Sequence, residues 1–481
     1  MSSSAGPFHL LPQDCWKEIL EYLPVDDRSR VSKTCRALRV SAEPYLYRKI
    51  TINWDTPRLR TPLQLLRTFF ARPELANFVH HVASFRQYYA DPEWFGWPSP
   101  WHLRDWPREQ TAFIDVVDKT IDIIQRARFP NTDEWIQAVY EGDFHVFWTV
   151  CISKLHNLRT LRLDYSFVWQ GGYPGRMVRH ALLGSNNILP RFEALELVDY
   201  GGNVPLPEPY GHLPEELEET EGFPSVYNKE QFTGWFYLPA LQHLAIWLRE
   251  ITGLKEAKFK CNLGNLRTLV LARSTITEED ALFLLSQTKT LRNLHLGLAY
   301  SWPDKSVLQK GELLVQALGS VSETVEKLSV GLDCYPRVYE EYVTFEDCKA
   351  LCVPFNGFLK NFPRLQSAEL PIIMLLGFDP GDQIDLRSVL PATLLELGLR
   401  DDLALCMGRW HQLTIYERVQ HLHPTYKEAT PFLSRIYHRL WSGIDFEEKE
   451  LQTTRTGTEI RVDIVADELG PGFGPYSYFK L

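Results

Sequence analysis

The sequence lacks any apolar run long enough to cross a membrane. Its longest apolar stretches, such as Pro371 to Phe378, fall far short of the roughly 20 residues that a spanning helix needs. The first ten residues, MSSSAGPFHL, also lack the basic start and the apolar stretch of a secretory signal peptide. We therefore expect a soluble intracellular protein, cytoplasmic or nuclear, with no membrane partner.

No CxxC pair occurs, although the sequence holds eight cysteines. Cys348 and Cys352 would share one face of a helix, but no nearby histidine or cysteine pair completes a metal-binding set. The close histidine groups, His80–His81 and His421–His423, lack a third ligand. We therefore expect no metal and no cofactor, no disulfide is required, and buried cysteines are the simplest interpretation.

An excess of positive charge is also missing. The chain has 51 lysines and arginines against 61 aspartates and glutamates, a net charge of −10. Because phosphate binding needs concentrated positive charge, nucleic acid is not an expected partner. Protein partners with basic patches would be tolerated better.

The common motifs of catalysis are absent. We find no G-x-S-x-G, H-E-x-x-H or S-x-x-K in a supporting context. The glycine-rich GPGFGP (Gly470 to Pro475) is not followed by Lys-Ser or Lys-Thr, so it predicts a turn and not a phosphate loop. We therefore expect no catalytic residues, and a protein that is not an enzyme.

What is present is the composition of a globular protein, with 44% hydrophobic, 23% charged and 13% aromatic residues. A chain of 481 residues can hold one large domain with small modules, or about three average domains. A sizeable hydrophobic core is therefore expected.

The N-terminal residues predict a short amphipathic helix. Trp16, Ile19, Leu20 and Leu23 recur at i, i+3, i+4 and i+7, which places them on one face. Pro12 suits the first helical turn, and Pro24 ends the helix because it disfavours the α conformation at the residue before it.

A second helix is expected after Pro24. Asp26 and Asp27 are candidates to cap it, and its apolar face would carry Val31, Cys35 and Leu38 until Pro44 ends it. So small a unit cannot bury all its apolar side chains, so Leu10, Leu11 and Pro12 are expected to await a partner.

In this segment the chain resembles the F-box, the motif by which substrate receptors dock onto the Skp adaptor of Skp-cullin-F-box (SCF) ubiquitin ligases. The matching positions are Leu11-Pro12, Ile19-Leu20, Leu23, Asp27, Cys35-Arg36 and Leu46-Tyr47-Arg48. The chain departs from the family pattern at Arg28, Thr34 and Leu38, where leucine, valine and tryptophan are usual. The departures could lower the adaptor affinity, and the alternative is that these helices only cap a larger domain.

The resemblance implies a set of adaptor contacts and further partners. We expect Cys35 to lie inside the helical core. The partners implied are the Skp adaptor, through it the cullin, and an unknown protein substrate. The residues expected to contact the adaptor are Leu11, Pro12, Ile19, Leu20, Leu23 and Val31.

Beyond residue 150 a pattern of the form L-x-x-L-x-L recurs eight times. The instances begin at Leu158, Phe192, Leu241, Leu266, Leu291, Val325, Leu365 and Leu394. Two successive spacings, from Leu241 to Leu266 and from Leu266 to Leu291, are typical of leucine-rich repeats, and the longer ones imply insertions. An ordinary α/β core, in which strands also alternate with helices, is the alternative.

The clearest repeat runs from Leu266 to Thr290, with a strand and a turn followed by an amphipathic helix. Thr277, followed by two glutamates, is a plausible helix start. Ser274 stands where the repeat family normally has an asparagine that binds the backbone of the turn. We therefore expect an incomplete version of that turn.

Other segments carry weaker predictions. A diverged strand is expected within Leu75 to Tyr89, with helices at Pro62 to Ala71 and Phe113 to Arg126. The predicted insertions are Tyr88 to Trp106, which contains Trp94, Trp97, Trp101 and Trp106, the acidic Tyr200 to Gly234, and Tyr335 to Asn361. The tryptophans are expected to pack on their own domain more than to bind a ligand. The tail predicts one edge strand at EIRVDIV.

The predicted fold class is therefore α/β, a small N-terminal helical F-box followed by an irregular leucine-rich-repeat solenoid. The expected divisions are 1–50 (F-box module), 51–150 (helical linker and degenerate first repeat), 151–440 (repeat domain) and 441–481 (tail). The predicted function is that of a non-catalytic substrate-recognition subunit of an SCF-type ubiquitin ligase. The alternative is a leucine-rich scaffold or adaptor that acts outside ubiquitination.

Overall fold

A computed structural model of the protein describes most of the chain. The residues described are 11–54, 59–86, 106–184, 188–202, 228–247, 254, 261–301, 311–335, 357–377, 384–400, 426–440 and 461–466.

The N-terminal part is a module of three helices, α1 (Gln13–Tyr22), α2 (Val25–Ser32) and α3 (Arg36–Tyr47). Helices α1 and α2 both pack against α3. Helix α1 follows Pro12 and ends before Leu23, whose backbone is extended (ψ 140°) ahead of Pro24. The predicted first helix is therefore confirmed.

The prediction of one long second helix is wrong. The N–H of Thr34 bonds to the carbonyl of Val31 (3.1 Å), and Cys35 is extended with φ −154°, so the chain breaks and restarts as α3. Pro44 does not end a helix but lies in the last four residues of α3, where its missing N–H costs a single helical hydrogen bond.

The prediction that Asp26 and Asp27 cap α2 is wrong. The residue before the helix is Pro24, and both aspartates lie in the first turn without a side-chain cap bond. Their carboxylates are favourable there because the N-terminal end of a helix carries partial positive charge.

Within the described residues, twelve strands form a single sheet in which every strand pairs in parallel with its neighbours in the chain, in the order β1 to β12. The strands are β1 (Lys49–Trp54), β2 (His81–Arg86), β3 (Thr160–Asp164), β4 (Leu197–Gly202), β5 (His243–Trp247), β6 (Thr268–Ser274), β7 (Asn293–Ser301), β8 (Lys327–Tyr335), β9 (Ser367–Pro371), β10 (Glu396–Arg400), β11 (Arg435–Leu440) and β12 (Arg461–Ala466). The mixed α/β class with a parallel sheet is confirmed. Whether the sheet is a leucine-rich-repeat solenoid stays a prediction.

A repeated backbone contact joins neighbouring strands where they begin. The carbonyl of Gln242 accepts the N–H groups of Arg267 (2.8 Å) and Thr268 (3.1 Å), and the carbonyl of Arg267 accepts those of Arg292 (2.8 Å) and Asn293 (3.0 Å). The same paired contact recurs from Arg48, just before β1, whose carbonyl accepts the N–H groups of His80 and His81, to Leu395, just before β10, whose carbonyl accepts those of Ser434 and Arg435. It fixes the register of each strand against the next.

Seven of the eight predicted motifs begin two residues before a strand, and the motif at Phe192 is the exception. Leu197 of β4 pairs with Thr160 of β3 and with His243 of β5, so Leu195 takes the position predicted for Phe192. The reason is a turn, in which Phe192 has a left-handed backbone (φ 51°) and its carbonyl accepts the N–H of Leu195 (3.1 Å). The motif there begins three residues later.

The motif residues build the hydrophobic core. The first, fourth and sixth residues of the motif before and within β6, Leu266, Leu269 and Leu271, are at most 1% exposed. Equivalent positions outside the predicted array are also buried, at Val79 before β2 and Leu433 before β11. One continuous cluster of buried side chains therefore runs from Leu59 to Ile436.

Helices fill the connections between strands. Helix α4 (Arg60–Ala71) follows β1. Four described helices follow β2, namely α5 (Trp106–Ala112), α6 (Ile114–Ala127), α7 (Thr132–Glu141) and α8 (Phe144–Ile152). Two follow β3, α9 (Ser166–Trp169) and α10 (Tyr173–Leu183). Later α-helices span Glu278–Leu285, Gly311–Gly319, Ile372–Leu376, Leu386–Val389 and Tyr426–Ala429, and 3₁₀ helices span Pro73–Phe78, Lys229–Tyr237 and Phe358–Asn361. All nine residues of α8 are buried, so this helix lies inside the domain.

Several local predictions are confirmed. Helices α4 and α6 match the two expected upstream helices to within two residues, and the strand expected within Leu75 to Tyr89 is β2, preceded by a 3₁₀ helix. Thr277 caps its helix by accepting the N–H of Asp280 (3.1 Å). The expectation of an incomplete turn at Ser274 is wrong, because its hydroxyl accepts the N–H of Ile276 (3.1 Å) and serine thus makes the turn contact expected of asparagine.

The predicted insertions lie largely outside the described residues, as do Cys348, Cys352, His421–His423 and the GPGFGP segment. Trp106 is described, and it is 6% exposed, with Nε1 donating to the carbonyl of Tyr140 (2.7 Å). That tryptophan packs within its own domain, as predicted. The tail strand is also confirmed, since β12 pairs with β11 at the edge of the described sheet.

The sheet begins at Lys49 and crosses the domain boundaries expected near residues 50, 150 and 440. The helical insert from α5 to α8 shares one core with the strands on both sides of it. The division of the chain into separate domains stays a prediction.

Candidate functional site

Helix α1 presents an exposed apolar face to solvent. Cys15, Ile19 and Tyr22 follow one another at i, i+4 and i+7, so they lie on one side of the helix, and all three are exposed. Tyr22 is 90% exposed and Ile19 is 40% exposed, and Leu11 just before the helix is 41% exposed. We call these four residues the α1 face.

Exposed apolar side chains are concentrated in this module. Ten large apolar side chains are exposed in the described residues, and five of them lie between Leu11 and Val40. The two outside the α1 face are Val25 (57% exposed) at the start of α2 and Val40 (65%) in α3. Because exposed apolar side chains concentrated in one short segment are a mark of an interaction site, the module is the best candidate for docking a partner.

The residues predicted to contact the adaptor are not equally accessible. Leu11, Pro12 and Ile19 are exposed, and Leu23 and Val31 are half-buried. Leu20 is 1% exposed and lies in the interior of the module, where it cannot touch a partner in this conformation. Its role is to support the face, and whether the other five bind an adaptor stays a prediction.

The expectation that Cys35 lies inside the helical core is wrong. Cys35 is exposed, because it occupies the extended link between α2 and α3 and not a helix face. Cys15, on the α1 face, is exposed as well. Both thiols are therefore open to reagents in solution.

Arg28, one of the three departures from the F-box pattern, ties the three helices together. It lies on α2, its Nη2 donates to the carbonyl of Glu21 at the end of α1 (2.9 Å), and its Nη1 donates to the carbonyl of Tyr45 in α3 (3.0 Å). These carbonyls belong to the last turns of their helices, where acceptors lack helical partners. A polar contact thus joins the helices where the family usually places an apolar side chain.

A buried carboxylate anchors the module to the rest of the protein. Glu43 in α3 is 7% exposed and receives Arg72 on both oxygens, at 2.5 Å (Nη1 to Oε1) and 2.8 Å (Nη2 to Oε2). Arg39 adds a bond at 2.7 Å. Arg72 lies between α4 and the 3₁₀ helix Pro73–Phe78, and its guanidinium holds the pKa of Glu43 below its usual value. This fork fixes α3 against the domain that follows.

Sequence reasoning missed Tyr22, Val25 and Val40. The search for an apolar stripe selects residues that face a common interior, whereas these three lie outside the stripe of their helices. The available signal was the presence of large apolar residues at positions where a small helical unit has nothing to bury them against. That signal becomes decisive only when the exposure of each side chain is known.

The comparison with known protein families agrees with this geometry. Residues 8–43 match the model of the F-box domain. The chain contains an F-box domain. The match spans α1, α2 and the first two thirds of α3, and it includes the α1 face and Arg28.

F-box domains generally bind the Skp adaptor and thereby the cullin, which supports a role as the substrate adaptor of an SCF ligase. F-box proteins are generally non-catalytic substrate receptors and are typically cytoplasmic or nuclear. None of the curated proteins matches this chain. Among the described helices, none is both long and apolar enough to cross a membrane.

One buried cluster outside the F-box domain has the connectivity of a catalytic triad. His145 contacts Asp143 Oδ1 through Nδ1 (3.1 Å) and Ser166 Oγ through Nε2 (3.1 Å). The hydroxyl of Ser166 also donates to Asp164 Oδ1 (2.6 Å), and the side chain is 6% exposed. A hydroxyl held by two partners and covered by protein is not placed to attack a substrate. The cluster is explained by the cap of α8, where Asp143 accepts the N–H of His145 (2.7 Å).

Proposed function

We propose that this protein is the substrate-recognition subunit of an SCF-type ubiquitin ligase. Its F-box domain docks the Skp adaptor through the α1 face, and the domain built on the parallel sheet holds a protein substrate. The observation that carries the proposal is the concentration of exposed apolar side chains on the segment that matches the F-box.

We further propose that the sheet belongs to an irregular leucine-rich-repeat solenoid. The sequential order of the strands supports this, as does the buried L-x-x-L-x-L pattern that recurs before and within them. The spacing from Leu266 to Leu291 is one repeat of ordinary length. The longer spacings hold inserted segments, which on a rigid scaffold commonly carry binding residues.

The proposed mechanism is proximity. The subunit performs no bond-making step itself, but it raises the effective concentration of a substrate lysine near the activated ubiquitin. Such an effect requires a fixed geometry between the two binding surfaces. The Glu43–Arg72 fork supplies that geometry, because it ties α3 to the beginning of the sheet domain.

Binding of recombinant Skp adaptor to the full chain tests the docking step. Ile19→Ala and Tyr22→Ala are each expected to weaken the affinity by about tenfold or more, since central apolar residues contribute most of the binding energy at interfaces. Ile114→Ala and Tyr140→Ala are matched controls, because both side chains are 52% exposed on helices α6 and α7. Titration calorimetry measures all four.

The docking proposal is wrong if the full chain does not retain the adaptor, or if the control variants weaken binding as much as the α1 variants do. Ligase membership needs a second measurement, the reconstitution of ubiquitin transfer with the cullin and a co-purified substrate. Transfer that depends on the sheet domain supports a receptor. Adaptor binding without cullin recruitment would instead favour the scaffold alternative.

A further inference from the structure

A pocket of about 310 Å³ lies where β8 to β11 begin. It is lined by the segments that lead into these four strands, and they contribute Glu326, Arg364, Gln366, Leu395 and Phe432 among other residues. The backbone there is held by the paired contacts between strands, in which the carbonyls of Glu326, Gln366 and Leu395 each accept two N–H groups. The lining is therefore a rigid one, large enough for one or two side chains.

The apolar wall of this pocket is exposed. Phe432 is 62% exposed and Leu395 is 39% exposed. They belong to adjacent repeats, because the carbonyl of Leu395 accepts the N–H groups of Ser434 (2.9 Å) and Arg435 (3.2 Å) two and three residues after Phe432. Two neighbouring exposed apolar side chains beside a cavity are suited to hold an apolar side chain of a partner.

The polar wall offers donors that are not used within the described part of the chain. Arg364 is exposed, and no described residue forms an ion pair or a hydrogen bond with its guanidinium. The side-chain amide of Gln366 has no described partner either. Glu326, by contrast, is paired with Arg292 at 3.7 Å. Arg364 is thus the uncompensated charge among the pocket residues that the structure describes.

We propose that this pocket binds an extended segment of a protein partner that presents an apolar side chain and, two or three positions away, an acidic one. The apolar side chain packs on Phe432 and Leu395, and the carboxylate accepts hydrogen bonds from Arg364 and Gln366. This proposal rests on the proposed function, for which it names the chemistry of the substrate.

The geometry sets the spacing of the two side chains. Arg364 and Phe432 precede β9 and β11, which are separated by two strand spacings, or about 10 Å. An extended peptide advances about 3.3 Å per residue, so the acidic and apolar residues lie about two to three positions apart. A carboxylate fits better than a phosphate dianion, because one guanidinium supplies one positive charge and a bidentate pair of donors.

An array of synthetic peptides tests this proposal with the full chain bound to the Skp adaptor. The peptides carry one leucine or phenylalanine and one aspartate in a Gly-Ser background, separated by one to four positions, with asparagine or phosphoserine replacing aspartate in matched sets. The strongest binding is expected for aspartate at a separation of two or three. Replacement by asparagine should weaken binding about tenfold, the usual magnitude for a hydrogen bond to a charged group.

Variants of the pocket identify the residues responsible. Arg364→Gln is expected to abolish the preference for aspartate over asparagine, and Phe432→Ala to weaken all peptides about tenfold or more. Arg191→Gln and Ile188→Ala are matched controls, since both side chains are exposed in the segment before β4. These two variants should bind the peptides as the unaltered chain does.

Three results would overturn the assignment. The first is an array without preference for the paired side chains, the second is unchanged discrimination in Arg364→Gln, and the third is tighter binding of phosphoserine than of aspartate. The adaptor affinity, measured on the same samples, separates this outcome from a failure of the proposed function. Loss of adaptor binding contradicts the docking proposal, whereas loss of peptide preference alone contradicts the pocket.

Discussion

Replacement of Glu369 should destabilise the C-terminal part of the sheet more than replacement of any exposed acidic residue near it. Glu369 on β9 is 7% exposed, and its carboxylate serves three neighbouring strands. Oε1 accepts Arg400 Nη1 of β10 and Ser329 Oγ of β8 (3.2 Å), and Oε2 accepts the Tyr437 hydroxyl of β11 (2.8 Å). One side chain thus joins four consecutive strands.

The magnitude follows from burial. Arg400 is 1% exposed, so Glu369→Ala removes the buried counter-charge of a buried cation. Breaking such a pair by removing one partner costs about 3–5 kcal/mol of unfolding free energy. The matched control is Glu396→Ala, because Glu396 and its partner Arg435 are about 43–44% exposed and 3.7 Å apart, and exposed pairs contribute only about 0–1 kcal/mol.

Urea unfolding followed by circular dichroism measures both variants, and hydrogen exchange of the amides of β8 to β11 locates the effect. Faster exchange confined to these strands is expected for Glu369→Ala. The double variant Glu369→Leu with Arg400→Met should recover most of the loss, since apolar replacement of a whole buried pair is often neutral or stabilising. A loss for Glu369→Ala no larger than that for Glu396→Ala would refute the reasoning.

Further predictions concern titration and thiol reactivity. Arg72 lowers the pKa of Glu43, so this pair contributes stability that is present above the unfolded pKa of about 4.3 and is lost as the pH falls through the lowered value. Burial raises the pKa of Asp199 to about 6, so the folded protein binds a proton that the unfolded chain releases, and stability should fall as the pH rises from about 4 to 6. Urea midpoints between about pH 2 and 8 test both effects, the Glu43 effect below about pH 4 and the Asp199 effect between about pH 4 and 6. Glu43→Gln and Asp199→Asn are each expected to remove its own slope, and a slope that persists in its variant contradicts the assignment. Iodoacetamide labelling read by mass spectrometry should modify exposed Cys15 and spare buried Cys151. Bound adaptor should protect Cys15 from labelling. Rapid labelling of Cys151, or unchanged labelling of Cys15 in the presence of the adaptor, would count against this account.

Much of the N-terminal module and of the sheet could be predicted from local patterns. The α1 stripe, the end of that helix at Pro24, and the strands after Leu266 and Leu291 all depend on residues a few positions apart. Backbone sterics and side-chain periodicity act over such distances, so one sequence contains the necessary information. The capping of a helix by Thr277 is predictable for the same reason.

Two of the predictions that failed, the motif at Phe192 and the continuous helix through Cys35, have a common cause. Each depends on a local backbone turn, and side-chain periodicity does not encode such turns. The motif at Phe192 was placed three residues early because a left-handed turn separates it from β4. The break at Cys35 likewise escaped prediction, since its sequence also fits a continuous helix. Such local turns depend on what the neighbouring elements require of the backbone.

The sequence by itself determined most of the segments that become strands, the bounds of the first F-box helix, and that the chain is acidic and poor in catalytic motifs. Only the tertiary structure decided which of these residues meet. Glu369 and Tyr437 are far apart in the chain and become partners because two strand pairings fix their register. Tyr22 becomes a candidate docking residue because no described element covers it, and exposure is a property of the whole fold.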